Sequence, residues 1–310
     1  MQQAPTAGEL PKLLRRDRMR DLRERAIGAA LLTAAAVGAL TTAGIILSLA
    51  GETIRFFGQV PIVDFFTETE WTPLFSIQKF GVWPLVSATV LTSAIALLLA
   101  VPVGLIAAIY LSEFATLHVR SLFKPMLEVL AGVPTVVYGF FALTVITPFL
   151  QGFVPGLSTF NALSAGFVMG VMIIPLVASL SEDALSAVPV SLREGAYAMG
   201  ATRFEVATRV VFPAAISGVI ASIILALSRA VGETMIVAIA AGMNPILSFD
   251  PRVPIETMTA YIVQISLGDT PYGSLSYLTI FAVGSTLFFM TFLMNVLSFW
   301  VVRRFREVYD

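Results

Sequence analysis

The chain has 310 residues, 57% of them hydrophobic and only 13% charged, whereas an ordinary soluble domain is about 45–50% apolar and about 25% charged. It has no cysteine and one histidine, His118. That excludes disulfides, thiolate metal sites and histidine-based triads, and leaves no catalytic or metal-ligating set. The net charge of -1 says less than its distribution, and nothing in the chain points to nucleic acid.

Residues 1–25 form a basic arm, with Lys12, Arg15, Arg16, Arg18, Arg20, Arg23 and Arg25. The apolar stretch at 26–50 is longer than the 7–15-residue core of a secretory signal, and reads as a first transmembrane helix followed by a periplasmic segment up to residue 82. Hydropathy predicts five further spans, at 83–112, 121–150, 161–181, 214–241 and 276–302. All must be helical, because lipid offers no partner to an open backbone group. The expected fold is therefore an all-α polytopic membrane protein with six transmembrane helices. Trp83 and Pro84 suit the opening of the second span, an interfacial indole beside a proline of the first helical turn. In the third span Gly132, Pro134 and Gly139 predict a kink or hinge. Trp300 with Arg303, Arg304 and Arg306 closes the last span at an interface.

Charge bias orients this arrangement. With six spans the basic arm, Arg120, Lys124, Arg193, Arg203, Arg209 and the arginines at 303, 304 and 306 share one side, against Arg55, Lys79 and Arg252 on the other. The positive-inside rule makes the first side cytoplasmic, and both termini with it. The segments 51–82 and 242–275 then lie outside, where their prolines and glycines predict short interfacial helices and turns, serving either as connectors or as a docking face. The expected organisation is an arm at 1–25, a first helix with its periplasmic segment at 26–82, and a transmembrane domain at 83–310 that carries a cytoplasmic hairpin at 182–213.

Local chemistry defines that hairpin. Ser191 followed by Glu194 fits a capping box, Gly200 suits a left-handed C-cap, and Thr202 with Glu205 fits a second capping box. Two short helices folded about a glycine are predicted, with Leu192, Ala196, Met199, Phe204, Ala207, Val210 and Val211 forming one apolar side. Such a hairpin could link two spans or insert into a cleft of a cytoplasmic partner. The fifth span holds a charged pair, Arg229 and Glu233, flanked by Ser228 and Thr234. Arg229 falls about 22 Å along the helix, near mid-membrane, where an arginine costs roughly 2.5–3.5 kcal/mol. Glu233 at i+4 is expected on the same face, as a structural ion pair or as the support of an arginine that lines an anion's route.

The stretch Glu194-Gly195-Ala196, three residues, Gly200, nine residues, then Val210-Val211-Phe212-Pro213 resembles the E-A-A loop of ABC importer permeases, with Gly195 in place of the middle alanine. Arg229 to Met235, R-A-V-G-E-T-M, resembles a segment of the phosphate permeases, and Gly132 to Phe141 resembles the third-span signature of the PstC family with Thr135 in place of serine. The resemblance implies a type I importer (MetI-like) fold in a bacterial inner membrane. It implies that Glu194, Gly195, Ala196, Gly200 and Pro213 couple to an ATPase, and that Arg229, Glu233, Thr234 and Ser228 lie on the substrate pathway. The partners it implies are a PstA-like permease forming a heterodimer, a dimer of PstB-like ATPases using ATP and Mg²⁺, and a PstS-like periplasmic phosphate-binding protein. No G-x-x-x-x-G-K-[ST] phosphate loop occurs in the sequence, so hydrolysis belongs to another subunit, no cofactor is expected on this chain, and the chain is not itself an enzyme. A permease for sulfate or molybdate would share this architecture. A channel or secondary transporter would share the spans but not the hairpin spacing.

Overall fold

A computed structural model of the protein describes residues 18–305. Most of the basic arm and the last five residues lie outside the described region. Every regular element described is a helix. The chain divides into two compact units, Met1–Gly51 and Glu52–Asp310. The first holds most of α1 (Arg18–Phe57), whose stretch from Leu22 is long and apolar enough to cross a membrane.

The second unit begins with the end of α1 and the short α2 (Ile62–Thr67), then α3 (Trp83–Ile109), which a wide π turn extends over Tyr110–Phe114. Pro84 stands in the first turn of α3, where its missing N–H costs nothing. The Trp83 Nε1–H donates to the Phe66 carbonyl at 2.6 Å. Residues 52–82 are part of this unit: Phe56, Phe65, Trp71 and Phe80 are buried in one cluster with Met258, Tyr261 and Leu278. Their rings meet edge to face, as at 5.1 Å between Trp71 and Tyr261, an arrangement aromatic quadrupoles favour. This cluster lies where α3 begins, beside a cavity of about 810 Å³ lined by Trp71, Asn244, Glu256, Tyr261 and Gln264.

The third span departs from a single helix over 121–150. It consists of α4 (Leu117–Ala131) and then α5 (Thr135–Phe141), a π turn and α6 (Thr147–Gln151), and the two parts meet at 86°. Pro134 supplies no N–H and forces the residue before it out of helical geometry, so the chain turns at Gly132–Pro134. Gly139 does not belong to this turn. It sits inside α5, where a Cβ would come within 3.0 Å of Ile239 and 3.2 Å of the Met235 carbonyl, so its role there is close packing.

The fourth span, α7 (Ala162–Ser186), packs along α3. Small residues set the approach. A Cβ on Gly166 would meet Ile95 at 2.8 Å, one on Gly170 the Ala96 carbonyl at 2.9 Å, and one on Gly104 Val177 at 2.8 Å. Helix pairs in lipid associate through such close backbone contact.

Beyond the hairpin, the fifth span is also broken. The hairpin helices are α8 (Val190–Ala198), α9 (Arg203–Glu205) and α10 (Phe212–Ala214), and a 71° bend at the junction separates residues 203–214 from α11 (Ile216–Val231). The chain then breaks again at Gly232–Thr234 before α12 (Met235–Ala240). The segment at 242–275 carries α13 (Met258–Leu267), and α14 (Leu275–Phe305) is the last span. Among the described residues, four uninterrupted helices can cross a membrane, and six spans result if each bent pair is one.

Candidate functional site

The hairpin is built largely by local rules. α8 starts two residues earlier than the Ser191 capping box requires: Pro189 is its N-cap, with no side-chain hydrogen bond. Pro189 already stands in extended geometry and its carbonyl accepts from Leu192 N at 3.2 Å, so Ser191 is inside the helix and Glu194 caps nothing. The helix ends as expected. Gly200 has φ +86°, its N–H donates to the Tyr197 carbonyl at 2.9 Å, and the Ala201 N–H donates to the Ala196 carbonyl at 3.1 Å. These two bonds form a Schellman motif. The second capping box is present: the Thr202 Oγ1 accepts from Glu205 N at 3.3 Å, and the Glu205 carboxylate accepts from Thr202 N at 3.0 Å. The Thr202 backbone N–H and the Thr202 hydroxyl, which donates to the same carboxylate at 2.8 Å, hold the Glu205 carboxyl below its ordinary range.

The expected single apolar side of the hairpin divides in two. Leu192, Ala196, Val206 and Val211 pack inward against Ala108, Leu185, Val188 and Val219. Met199, 88% exposed, and Phe204, 68% exposed, stand out at the tip with Tyr197, because the glycine turn points them away from the base. Glu194 is exposed and no partner in the described residues engages it, while Gly195 is exposed with open space about its Cα. Pro213 lies in the first turn of α10.

What braces the hairpin is the neighbouring Arg193. Its guanidinium donates to Glu113 Oε1 at 3.0 Å and to the Leu185 carbonyl at 2.8 Å through Nη2, and to the Val188 carbonyl through Nη1. A second set of charges ties α4 to α7: Lys124 lies 3.0 Å from Glu182 and 2.6 Å from Asp183, and Arg120 also pairs with Glu182. Glu182 is 1% exposed.

In the fifth span the expected Arg229–Glu233 ion pair is not formed. The helix on which i and i+4 share a face ends at Val231, with Gly232 as its C-cap. Glu233 instead turns to the start of α12, where its Oε1 accepts from Met235 N at 3.1 Å and Ile236 N at 3.3 Å. It thereby satisfies amides that have no partner within the helix. Its own carbonyl accepts from the Thr259 hydroxyl at 2.7 Å. Arg229 is exposed and no described residue pairs with it, which leaves its fork of donors open. Ser228 Oγ reaches Asn295 Oδ1 at 3.5 Å, and Thr234 Oγ1 reaches the Gly232 carbonyl at 3.3 Å. Through Gly139 the third-span segment lies directly against α12, so the two segments singled out in the sequence are neighbours.

Helical spans bent at fixed points, with a capped hairpin standing out from their ends, define the membrane subunit of an ATP-driven importer. Residues 100–307 match the family described as binding-protein-dependent transport system inner membrane component, and the chain belongs to that family. Its relatives include the probable ABC transporter permease protein YqgH of Bacillus subtilis, 35% identical over 268 residues that cover 86% of this chain and 85% of the relative. The phosphate transport system permease protein PstC of Mesorhizobium japonicum is 35% identical over 263 residues, 78% of each chain. That of Xylella fastidiosa is 36% identical over 259 residues, 77% of this chain and 78% of the relative. Among solved structures, a bacterial ABC transporter that imports alginate shares the fold with a TM-score of 0.63 at 14% identity, over 94% of this chain and 100% of that one. The inward-facing MetNI methionine transporter does so with a TM-score of 0.53 at 19% identity, over 73% and 95%. The chain is thus an importer permease embedded in the membrane, which works with ATPase and binding-protein partners.

Proposed function

We propose that this chain is a PstC-type permease subunit of an ATP-driven phosphate importer and forms half of the transmembrane pathway beside a PstA-like subunit. The observation that carries the reading is the hairpin: a braced base, a capped turn, and an exposed tip where Glu194, Tyr197, Met199 and Phe204 await a partner. A dimer of PstB-like ATPases, using ATP and Mg²⁺, would receive that tip in a groove, with Glu194 supplying a charge-assisted contact. The PstC relatives support phosphate as the cargo. The bias of basic residues supports cytoplasmic termini in a bacterial inner membrane, with a PstS-like phosphate-binding protein docking on the opposite face.

Arg229 suits the cargo. Its planar fork can donate two parallel hydrogen bonds to a phosphate, and among the described residues no side chain occupies it. ATP binding to the closed ATPase dimer would favour the outward-open state, in proportion to its tighter binding there. Phosphate would then pass Arg229 as a transient step, with selectivity set mainly by the binding protein.

The test uses the complete complex in proteoliposomes. Glu194→Lys is expected to abolish stimulation of ATP hydrolysis by the loaded binding protein. Arg229→Lys is expected to slow phosphate uptake with the complex intact. Full uptake by Arg229→Lys and also by Arg229→Met would remove Arg229 from the pathway, and full stimulation in Glu194→Lys would overturn the docking role.

A further inference from the structure

Arg193 lies where the hairpin leaves the membrane body, with its side chain 16% exposed and that of Glu113 5% exposed. Its contacts reach two spans at once. Glu113 belongs to the π turn that ends α3, and is met by Nη2 at 3.0 Å and by Nε at 3.5 Å. The Leu185 and Val188 carbonyls, also bonded, belong to the last turn of α7 and the residues just after it. The Ser112 hydroxyl donates to the same Glu113 Oε1 at 2.9 Å, so the carboxylate is held from behind. α3 and α7 are in turn packed closely along each other through Gly104, Gly166 and Gly170.

Apart from Arg193, the hairpin meets the body here through apolar side chains, Leu192, Ala196, Val206 and Val211 against Ala108, Leu185, Val188 and Val219. Apolar contacts are non-directional and permit sliding. A guanidinium fixed by a carboxylate fork and two carbonyls is directional and does not. We infer that Arg193 is the positioning residue that makes the hairpin move as one body with the α3–α7 pair, so that a displacement imposed on α8 reaches the spans instead of being absorbed in the connection at 187–189. The inference rests on the proposed docking of the hairpin onto an ATPase and names the element that carries the motion onward. Glu194 faces the partner, and Arg193, one residue earlier, faces the spans.

The experiment compares the native chain with Arg193→Met, Arg193→Lys and Glu113→Gln in the full importer in proteoliposomes. It reads ATPase retention on purification, basal hydrolysis, and phosphate moved per ATP. The expected result is retained ATPase and basal hydrolysis in all variants. Phosphate per ATP should fall at least tenfold in Arg193→Met, with smaller losses in Arg193→Lys and in Glu113→Gln, which keeps both carbonyl bonds. The absence of cysteine allows a second readout. Spin labels at Ala198→Cys on α8 and Val171→Cys on α7, both exposed, should keep one sharp distance with and without ATP in the native chain, and a broadened one in Arg193→Met. Unchanged phosphate per ATP in Arg193→Met and Glu113→Gln would overturn the clamp, and so would loss of assembly in both, which would mark a folding role. If the unmodified chain recruits no ATPase, the docking proposal itself fails, a result separate from failure of the clamp in a working complex.

Discussion

Glu233 offers a prediction whose outcome depends on what its carboxylate does. If it caps α12, one oxygen atom suffices, because Oε1 alone accepts from Met235 N and Ile236 N. Glu233→Gln keeps an oxygen at that position and loses only the charge. Glu233→Ala leaves two amides open at the start of a short helix, in a site where the side chain is 8% exposed. Loss of a capping side chain costs about 0.5–2 kcal/mol, and each 1.4 kcal/mol is tenfold in an equilibrium. The alanine variant should therefore depopulate the native break at 232–234 by a factor of roughly 2 to 30. In proteoliposome uptake we expect Glu233→Gln to retain most of the native rate and Glu233→Ala to lose a factor in that range. The Tm of the purified complex should order the variants in the same way. Equal loss in Gln and Ala would refute the capping argument and restore a role for the charge, as in a pair with Arg229.

Three further outcomes follow from the packing and the electrostatics. Gly170→Ala would place a Cβ 2.9 Å from the Ala96 carbonyl, which as backbone cannot swing aside, so the complex should lose about 1–3 kcal/mol in a reversible unfolding titration; a neutral result would mean that α3 and α7 separate freely. Gly195→Ala meets nothing within 4 Å and should stabilise α8 by about 0.8–1.0 kcal/mol, raising Tm with coupling intact, whereas loss of ATPase binding would show that the bare backbone of Gly195 is itself the contact. Burial lifts the Glu256 carboxyl from 4.5 to about 8, so the folded chain holds a proton that the unfolded chain releases. That contribution to stability is complete below pH about 4.5 and is lost as pH rises through 8. Tm should fall between about pH 5 and pH 8 and the slope should flatten in Glu256→Gln, while equal slopes would contradict the assignment.

The parts of the site that were legible in the sequence are those fixed by neighbours in the chain. Gly200 and the Thr202–Glu205 box depend on bonds spanning a few residues, and both appear where residue chemistry puts them. The Ser191 cap failed for an equally local reason, since Pro189 had already set the extended geometry from which a helix starts. The Arg229–Glu233 pair assumed a continuous helix, and Gly232 ends it, so i+4 spacing no longer means a shared face. The right angle within the third span was visible as Gly132 and Pro134 but not in its size, because the bend is set by what α4 packs against. Arg193 could not be singled out from sequence, as its partner Glu113 lies 80 positions away. The only hint was a lone acidic residue at the end of an apolar span.

The most direct test of the central claim is ATP-dependent uptake into proteoliposomes carrying the complete complex and its binding protein, with phosphate, sulfate and molybdate offered separately. The account predicts accumulation of phosphate alone, dependent on ATP inside the cytoplasmic compartment and lost in Glu194→Lys. Accumulation of sulfate or molybdate in place of phosphate would contradict the substrate, and phosphate movement without ATP would contradict the importer itself.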